Sequence, residues 1–172
     1  MSPDTNDARS ELIAIPEGYA IRLARPADAA PAAQIFMEAP QAARWSERAA
    51  WEIMQSPDVL AYVAHPTGGT EATLSQIVAF AAGRIVAGEA EILNLAVLQA
   101  RRRNGLAKSL VSHLLNDFAK KFVTRVFLEV RESNLAATEL YSRMGFTSLG
   151  RRPGYYQDPP EAALILERIQ QP

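Results

Sequence analysis

The chain contains no cysteine. That one absence excludes disulfides, thiolate metal ligands and a cysteine nucleophile, and it fits a reducing, cytoplasmic setting. Only two histidines are present, His65 and His113. They lie far apart without metal-ligand spacing, so no metal site is expected. No apolar run approaches the ~18 residues of a membrane span. Residues 1–11 are polar, carry Asp4, Asp7 and Glu11, and lack the apolar centre of a signal peptide. Neither charge dominates: 18 Lys and Arg against 19 Asp and Glu leave a formal net charge of -1. Such a balance offers no general attraction to nucleic acid or anionic lipid. Several phosphate and nucleophile motifs are also missing. Gly83 and Gly88 have P-loop spacing, but Glu89-Ala90 stands where Lys-Ser/Thr is required. There is no Gly-x-Gly-x-x-Gly and no Gly-x-Ser-x-Gly elbow.

What remains is an ordinary globular composition, 48% hydrophobic and 22% charged over 172 residues. A domain of that length buries roughly two-thirds of its unfolded surface and needs no metal to fold. Residues 1–16 read as a flexible extension ending at Pro16, and 17–172 as one domain. Tyr19–Leu23 alternates as a strand. Asp28 is the expected cap of a helix through Ala39, and Ser46 that of a second helix, Glu47–Gln55. Val59–Ala64 and Gln76–Val86 read as strands joined by Thr-Gly-Gly-Thr turn chemistry at 67–70. Glu91–Leu98 is a further strand. Leu106, Leu110, Leu114 and Phe118 recur every four residues and predict a helix from Leu106 to Lys120. Val123–Val130 reads as a central strand, Asn134 as the cap of a short helix to Arg143, and Thr147–Tyr156 and Ala162–Ile169 as the last strands. This order is α+β, or mixed α/β, and not doubly wound.

The strongest local signal is the turn Arg102-Arg103-Asn104-Gly105-Leu106-Ala107 between a strand and an amphipathic helix. A helix N-terminus offers unpaired N–H groups and a partial positive charge to an anion. Gly105 lets the backbone approach closely, Ala107 leaves room, and Arg102 or Arg103 adds a charge-assisted bond. A merely solvated basic turn is the alternative, disfavoured by the position of the motif.

Leu95-Ala96-Val97 followed by Arg102-x-x-Gly105-x-Ala107 resembles the coenzyme A signature of the GNAT acetyltransferase superfamily. Leu128-Glu129-Val130-Arg131-Glu132-Ser133-Asn134, then Leu140-Tyr141 and Met144-Gly145-Phe146, resembles its ribosomal-protein-alanine branch, the RimI type. Arg151-Arg152, Tyr155-Tyr156 and Trp45-Ser46-Glu47 extend the likeness, which is strong over 89–156 and faint over 19–88. The resemblance implies a mixed, mostly antiparallel sheet of six or seven strands with about four helices. It implies acetyl-CoA as cofactor, held by Leu95, Ala96, Val97, Arg102, Arg103, Asn104, Gly105, Leu106, Ala107, Lys108, Asn134 and Tyr141. It implies Glu129 as general base and Tyr141 as general acid.

Seven residues separate Asn134 from Tyr141, nearly two helical turns, so both are expected on one side of their helix. Glu89 and Glu91 are reserve bases, because their strand must border the thioester. Trp45, Glu89, Tyr155 and Tyr156 are candidates for an acceptor groove, with packing against the sheet as the alternative for the aromatics. The sequence departs from the RimI pattern at three places. Glu161-Ala162-Ala163 replaces an acidic pair in the last strand, Arg44 replaces a proline, and Leu98-Gln99 replaces Asp-Pro. The leading expectation is acetylation of a protein's N-terminal alanine. A small-molecule amine or a lysine is a second acceptor class, and a coenzyme A-binding module without turnover a third reading.

Overall fold

The computed structural model describes residues 13–68, 70 and 76–171. The extension at 1–12 and Gly69 of the predicted turn lie outside these. The strands are β1 (Tyr19–Leu23), β2 (Val59–Pro66), β3 (Ala79–Val86), β4 (Glu89–Val97), β5 (Arg125–Arg131), β6 (Thr147–Gln157) and β7 (Pro160–Ile169). The helices are α1 (Ala29–Glu38), α2 (Glu47–Gln55), α3 (Leu106–Lys120) and α4 (Leu135–Arg143). All strands join one sheet in the order β1-β2-β3-β4-β5-β7-β6. Its pairs are antiparallel except β4–β5, which is parallel. A parallel neighbour requires a crossover, and α3 supplies it.

The predicted helix bounds of α3 hold because its stripe is the core. Leu110, Leu114 and Phe118 are fully buried and Leu106 nearly so. Each buried side chain of this kind contributes about 1.5–3 kcal/mol. α3 and α4 cover one sheet face around Ala81, Ile92, Val126 and Leu128. α1 and α2 cover the other, where Ile35 and Phe36 meet Val63, Phe80, Ala82 and Ala96. Ser46 caps α2 as expected, accepting from Ala49 N at 3.2 Å. Asp28 does not cap α1. Its carboxylate turns back to Arg25 N at 2.7 Å and to both terminal nitrogens of Arg22 at 2.7 and 2.8 Å. A two-point bond to a guanidinium outcompetes a neutral helix amide. Ile13–Pro16 lies beside α3, where Ser109 Oγ donates to Ala14 O at 2.8 Å. Gln76 to Val78 precede β3 instead of belonging to it.

Two irregularities open the sheet. In β4 the register against β3 shifts between Ala82 and Gly83: Ala82 faces Asn94 while Gly83 faces Ile92. Leu93 is therefore a β-bulge, and it reverses which residues face which core. Ile92 and Ala90 face α3, whereas Ala96 faces α1 and α2. The second irregularity is the short β4–β5 ladder, which pairs Glu89–Ile92 with Arg125–Leu128 and stops. Beyond that point the strands part.

Gly83 sits at the bulge because nothing larger fits. A Cβ there would lie 2.5 Å from Phe118 Cζ and 3.0 Å from the Glu91 carbonyl. Gly83→Ala is expected to destabilise the fold by about 1–3 kcal/mol through overpacking. Thermal unfolding would register this as a Tm lower by several degrees; an unchanged Tm would mean that Phe118 yields freely.

Candidate active site

Where β4 and β5 part, a cleft of about 310 Å³ opens. Leu95, Ala96 and Val97 of β4 form one wall, and Ala137 and Leu140 of α4 the other. Arg102, Arg103, Gly105, Leu106, Ala107 and Lys108 close one end. The structure thus brings together nearly all the residues predicted for the cofactor. Asn104 and Tyr141 are the exceptions: neither lines it, and Asn104 lies in a neighbouring cavity of about 980 Å³, beside Ile13–Pro16.

The basic end is built for an anion. Arg101, Arg102, Arg103 and Lys108 line it, and no carboxylate does. The Gly105 cap residue has φ 79° and no side chain caps α3. The turn's bond is Ser109 N to Gly105 O, which leaves the amides of Leu106, Ala107 and Lys108 without an intrahelical acceptor. Arg103 also takes a left-handed conformation, φ 66°. For a non-glycine residue that is uncommon and mildly strained, and it clusters at ligand sites. Arg102 Nε donates to Val97 O at 3.2 Å, anchoring the turn to the strand.

α4 departs from the expected geometry. Asn134 lines the cleft, but Tyr141 does not. Asn134 is the cap, with φ -81° and ψ 66°, and its side chain accepts from Ala137 N. It stands outside the helical repeat, so a seven-residue spacing counted from it does not align the two. Tyr141 is 5% exposed, its ring edge-on to Phe146 at 5.5 Å. Its hydroxyl has no hydrogen bond among the described residues, yet it is not a fully buried unpartnered atom. The small exposed part of Tyr141 therefore includes the hydroxyl. Burial, then the nearby Tyr156 phenol, push its pKa well above the ordinary value.

Glu129 follows Leu128 on β5, just past the last β4 pair. Leu128 and Val130 face α3, so Glu129 projects to the opposite face. Its carboxylate pairs with Arg152 Nη1 at 2.8 Å and keeps 20% of its side chain exposed. The Tyr155 hydroxyl also donates to it, which pushes the Tyr155 pKa up to about 12. Burial raises Tyr156, with Glu129 a smaller contributor, so Tyr156 senses the charge at Glu129 and is itself felt at Tyr141. Arg131 stacks 4.0 Å from the Tyr156 ring centre. Tyr155 and Tyr156 thus stand beside Glu129.

Residues 30–146 match the Acetyltransferase (GNAT) family. The chain belongs to that family. Its ribosomal protein bS18-alanine N-acetyltransferase relative from Escherichia coli K12 is 39% identical over 93 residues, or 53% of this chain and 63% of that protein. The chain thus spans less than two-thirds of the length of that curated relative. The crystal structure of the Escherichia coli ribosomal-protein-S18-alanine N-acetyltransferase superposes with TM-score 0.76 at 30% identity, covering 90% of this chain and 95% of that one. NAA60 of Arabidopsis thaliana, solved with acetyl-CoA, shares the fold at TM-score 0.79 and 19% identity, covering 88% of this chain and 98% of that one.

Other predicted residues of this GNAT acetyltransferase lie away from the opening. Glu89 is at the far end of β4, bonded to Arg125 at 2.9 Å, and Glu91 pairs with Arg84 at 3.4 Å. Both sit where β4 and β5 are still paired, which removes the reason for their candidacy. Trp45 is half-buried, edge-on to Phe36 at 5.7 Å and to Phe80 at 6.1 Å, so it packs against the sheet. Two residues near the opening were not named as site candidates from sequence. Arg152 binds Glu129 through a register spanning three strands, which no local pattern shows. Asn94 is a buried polar residue in an otherwise apolar run, a signal that was available. Among the described residues no helix is long and apolar enough to cross a membrane.

Proposed function

We propose that this acetyltransferase acetylates the α-amine of a protein's N-terminal alanine, with Glu129 as base and Tyr141 as acid. The observation that carries the reading is the β4–β5 opening with its cation-lined cleft: Glu129 is one residue past the last β4–β5 pair, and Tyr141 follows the cleft residue Leu140, although neither side chain lines the cleft itself. Similarity to the Escherichia coli alanine acetyltransferase supports the choice of acceptor.

The donor is acetyl-CoA, and the cleft suits it. Free amides at Leu106–Lys108 and the Arg102–Arg103 turn would hold its pyrophosphate, while the narrow, mostly apolar walls at Leu95–Val97 and Ala137–Leu140 would hold its pantetheine arm. Bound there, it supplies a thioester carbonyl open to attack by an amine. Glu129 takes the proton from the acceptor ammonium at its carboxylate. At pH 7 an α-amine loses that proton for about 1 kcal/mol and a lysine for about 4.6 kcal/mol, so a carboxylate suffices for the α-amine. Tyr141 Oη gives its proton to the departing sulfur. In this reading residues 17–172 form the catalytic domain and 1–16 an extension.

One observation favours a second acceptor class. Glu161 accepts from Ser133 N and pairs with Arg131, so it is engaged within the protein. With alanine at 162 and 163, that strand offers no free carboxylate to a basic peptide, and a small amine is the alternative. Purified protein with acetyl-CoA is expected to add one acetyl group to alanine-initiated peptides in an N-terminal peptide pool, read by mass spectrometry. Acetylation of small amines with alanine peptides untouched would reverse the choice.

A further inference from the structure

One buried oxygen beside the opening lacks a partner. Asn94 is 5% exposed. Its Nδ2 donates to the Ala43 carbonyl at 2.9 Å. Its Oδ1 is shielded from solvent and accepts nothing, which no other buried side-chain oxygen or nitrogen among the described residues shares. Native proteins leave few such atoms, because an unmade buried bond forfeits hydration without compensation. A leucine would fill this site without the deficit.

The bulge at Leu93 explains where that oxygen points. It turns Asn94 onto the α1–α2 side, next to its β3 partner Ala82 and two residues before Ala96, both in the core under α1 and α2. Glu129 projects to the same side from β5, since Leu128 and Val130 face α3. Asn94 and Glu129 therefore stand on the two strands that part, on the sheet face opposite α3.

We propose that Asn94 Oδ1 binds the acceptor, accepting a hydrogen bond from an N–H of the primary amine about to be acetylated. The ammonium gives one proton to Glu129, keeps one N–H on Asn94, and its freed lone pair faces the cleft. A neutral amide oxygen orients the amine, whereas a second carboxylate would stabilise the ammonium and hold the nucleophile back. The segment between α1 and α2 is held to this side chain through the Nδ2 bond to Ala43 O. Its own bonds are short turns, Ala42 N to Ala39 O and Trp45 N to Ala43 O, and Asn94 ties it to β4. Ala39, Gln41 and Ala42 of the same segment line the cleft. The acceptor reaches Oδ1 as that segment shifts outward, and the amine is then held away from water. The inference rests on N-acetyl transfer and on Glu129 as base, not on which primary amine is used.

Asn94→Leu keeps the branched shape and removes the oxygen, together with the Nδ2 bond to Ala43. With the primary amine that the wild type acetylates, its acceptor KM is expected to rise about 10-fold, the loss of one hydrogen bond to an amine. The kcat and the acetyl-CoA Kd should stay within a factor of about three. An unchanged KM overturns the proposal, and so does an acetyl-CoA Kd that weakens in parallel, because a structural role moves both. Should Asn94→Leu not fold, the wild-type Asn94 side-chain amide is followed by NMR with coenzyme A bound. The free amine should shift it and the N-acetylated amine should not; equal shifts, or none, overturn the inference. Turnover of a small amine in place of alanine peptides would reverse the acceptor reading alone, and the Asn94 comparison is then made on that amine.

Discussion

Glu129→Gln is expected to lower kcat about 100-fold at pH 7, with acetyl-CoA affinity unchanged. General-base assistance contributes about 10²–10⁴ in rate, and glutamine keeps the shape while losing the basicity. The loss corresponds to about 2.7 kcal/mol of transition-state stabilisation. Folding should hardly change. The carboxylate's ion pair is with Arg152, half of whose side chain is exposed, and exposed pairs are worth about 0–1 kcal/mol. The glutamine carbonyl still accepts from the Tyr155 hydroxyl. A large kinetic effect on a nearly unchanged stability separates a base from a strut. Steady-state kinetics with calorimetry of acetyl-CoA binding decide it. A kcat within threefold of wild type would remove Glu129 from the chemistry. Glu89 and Glu91 would not inherit the role, since Arg125 and Arg84 hold them at the closed end of β4. An ordered water chain would then carry the proton.

The contrast between α3 and β4 shows where sequence reading succeeds. In α3 a four-residue stripe, a preceding glycine and a basic turn agree, and the helix begins and ends where predicted. Local pattern and long-range packing ask for the same thing. In β4 the run Glu-Ile-Leu-Asn-Leu-Ala-Val reads as one uninterrupted strand, and nothing in it announces an extra residue. The bulge exists only in the register with β3, and with it the facing of Asn94 and the parting from β5. Asp28 failed for a more local reason: Arg22, six residues earlier on β1, takes its carboxylate with two hydrogen bonds. The family signature carried most of the cleft, because Leu95–Val97 and the turn from Arg102 to Lys108 follow closely in sequence, while Ala39, Gln41 and Ala42 reach it from the segment after α1 and were missed. The proposed acceptor side draws on β4, β5, β6 and the segment after α1, so its contacts, such as Arg152 on Glu129, were not legible.

Tyr141→Phe is expected to cost turnover while leaving the fold as stable as before. The hydroxyl makes no hydrogen bond among the described residues, and the ring's contact with Phe146 survives the change. Removing a hydroxyl that makes no bond within the protein leaves no partner unsatisfied, so little stability is lost. A conserved Tm, together with a kcat lower by about 10–100-fold, therefore marks the hydroxyl as functional. The pH dependence supplies an independent check. Burial and the neighbouring Tyr156 raise the phenol above its ordinary pKa, so it keeps its proton throughout the neutral range. The ratio of wild-type to Tyr141→Phe activity should then be flat up to about pH 9. A Phe variant with full activity at pH 7 would mean that the sulfur departs unassisted. Tyr141 would then be a core aromatic whose hydroxyl merely reaches the protein surface.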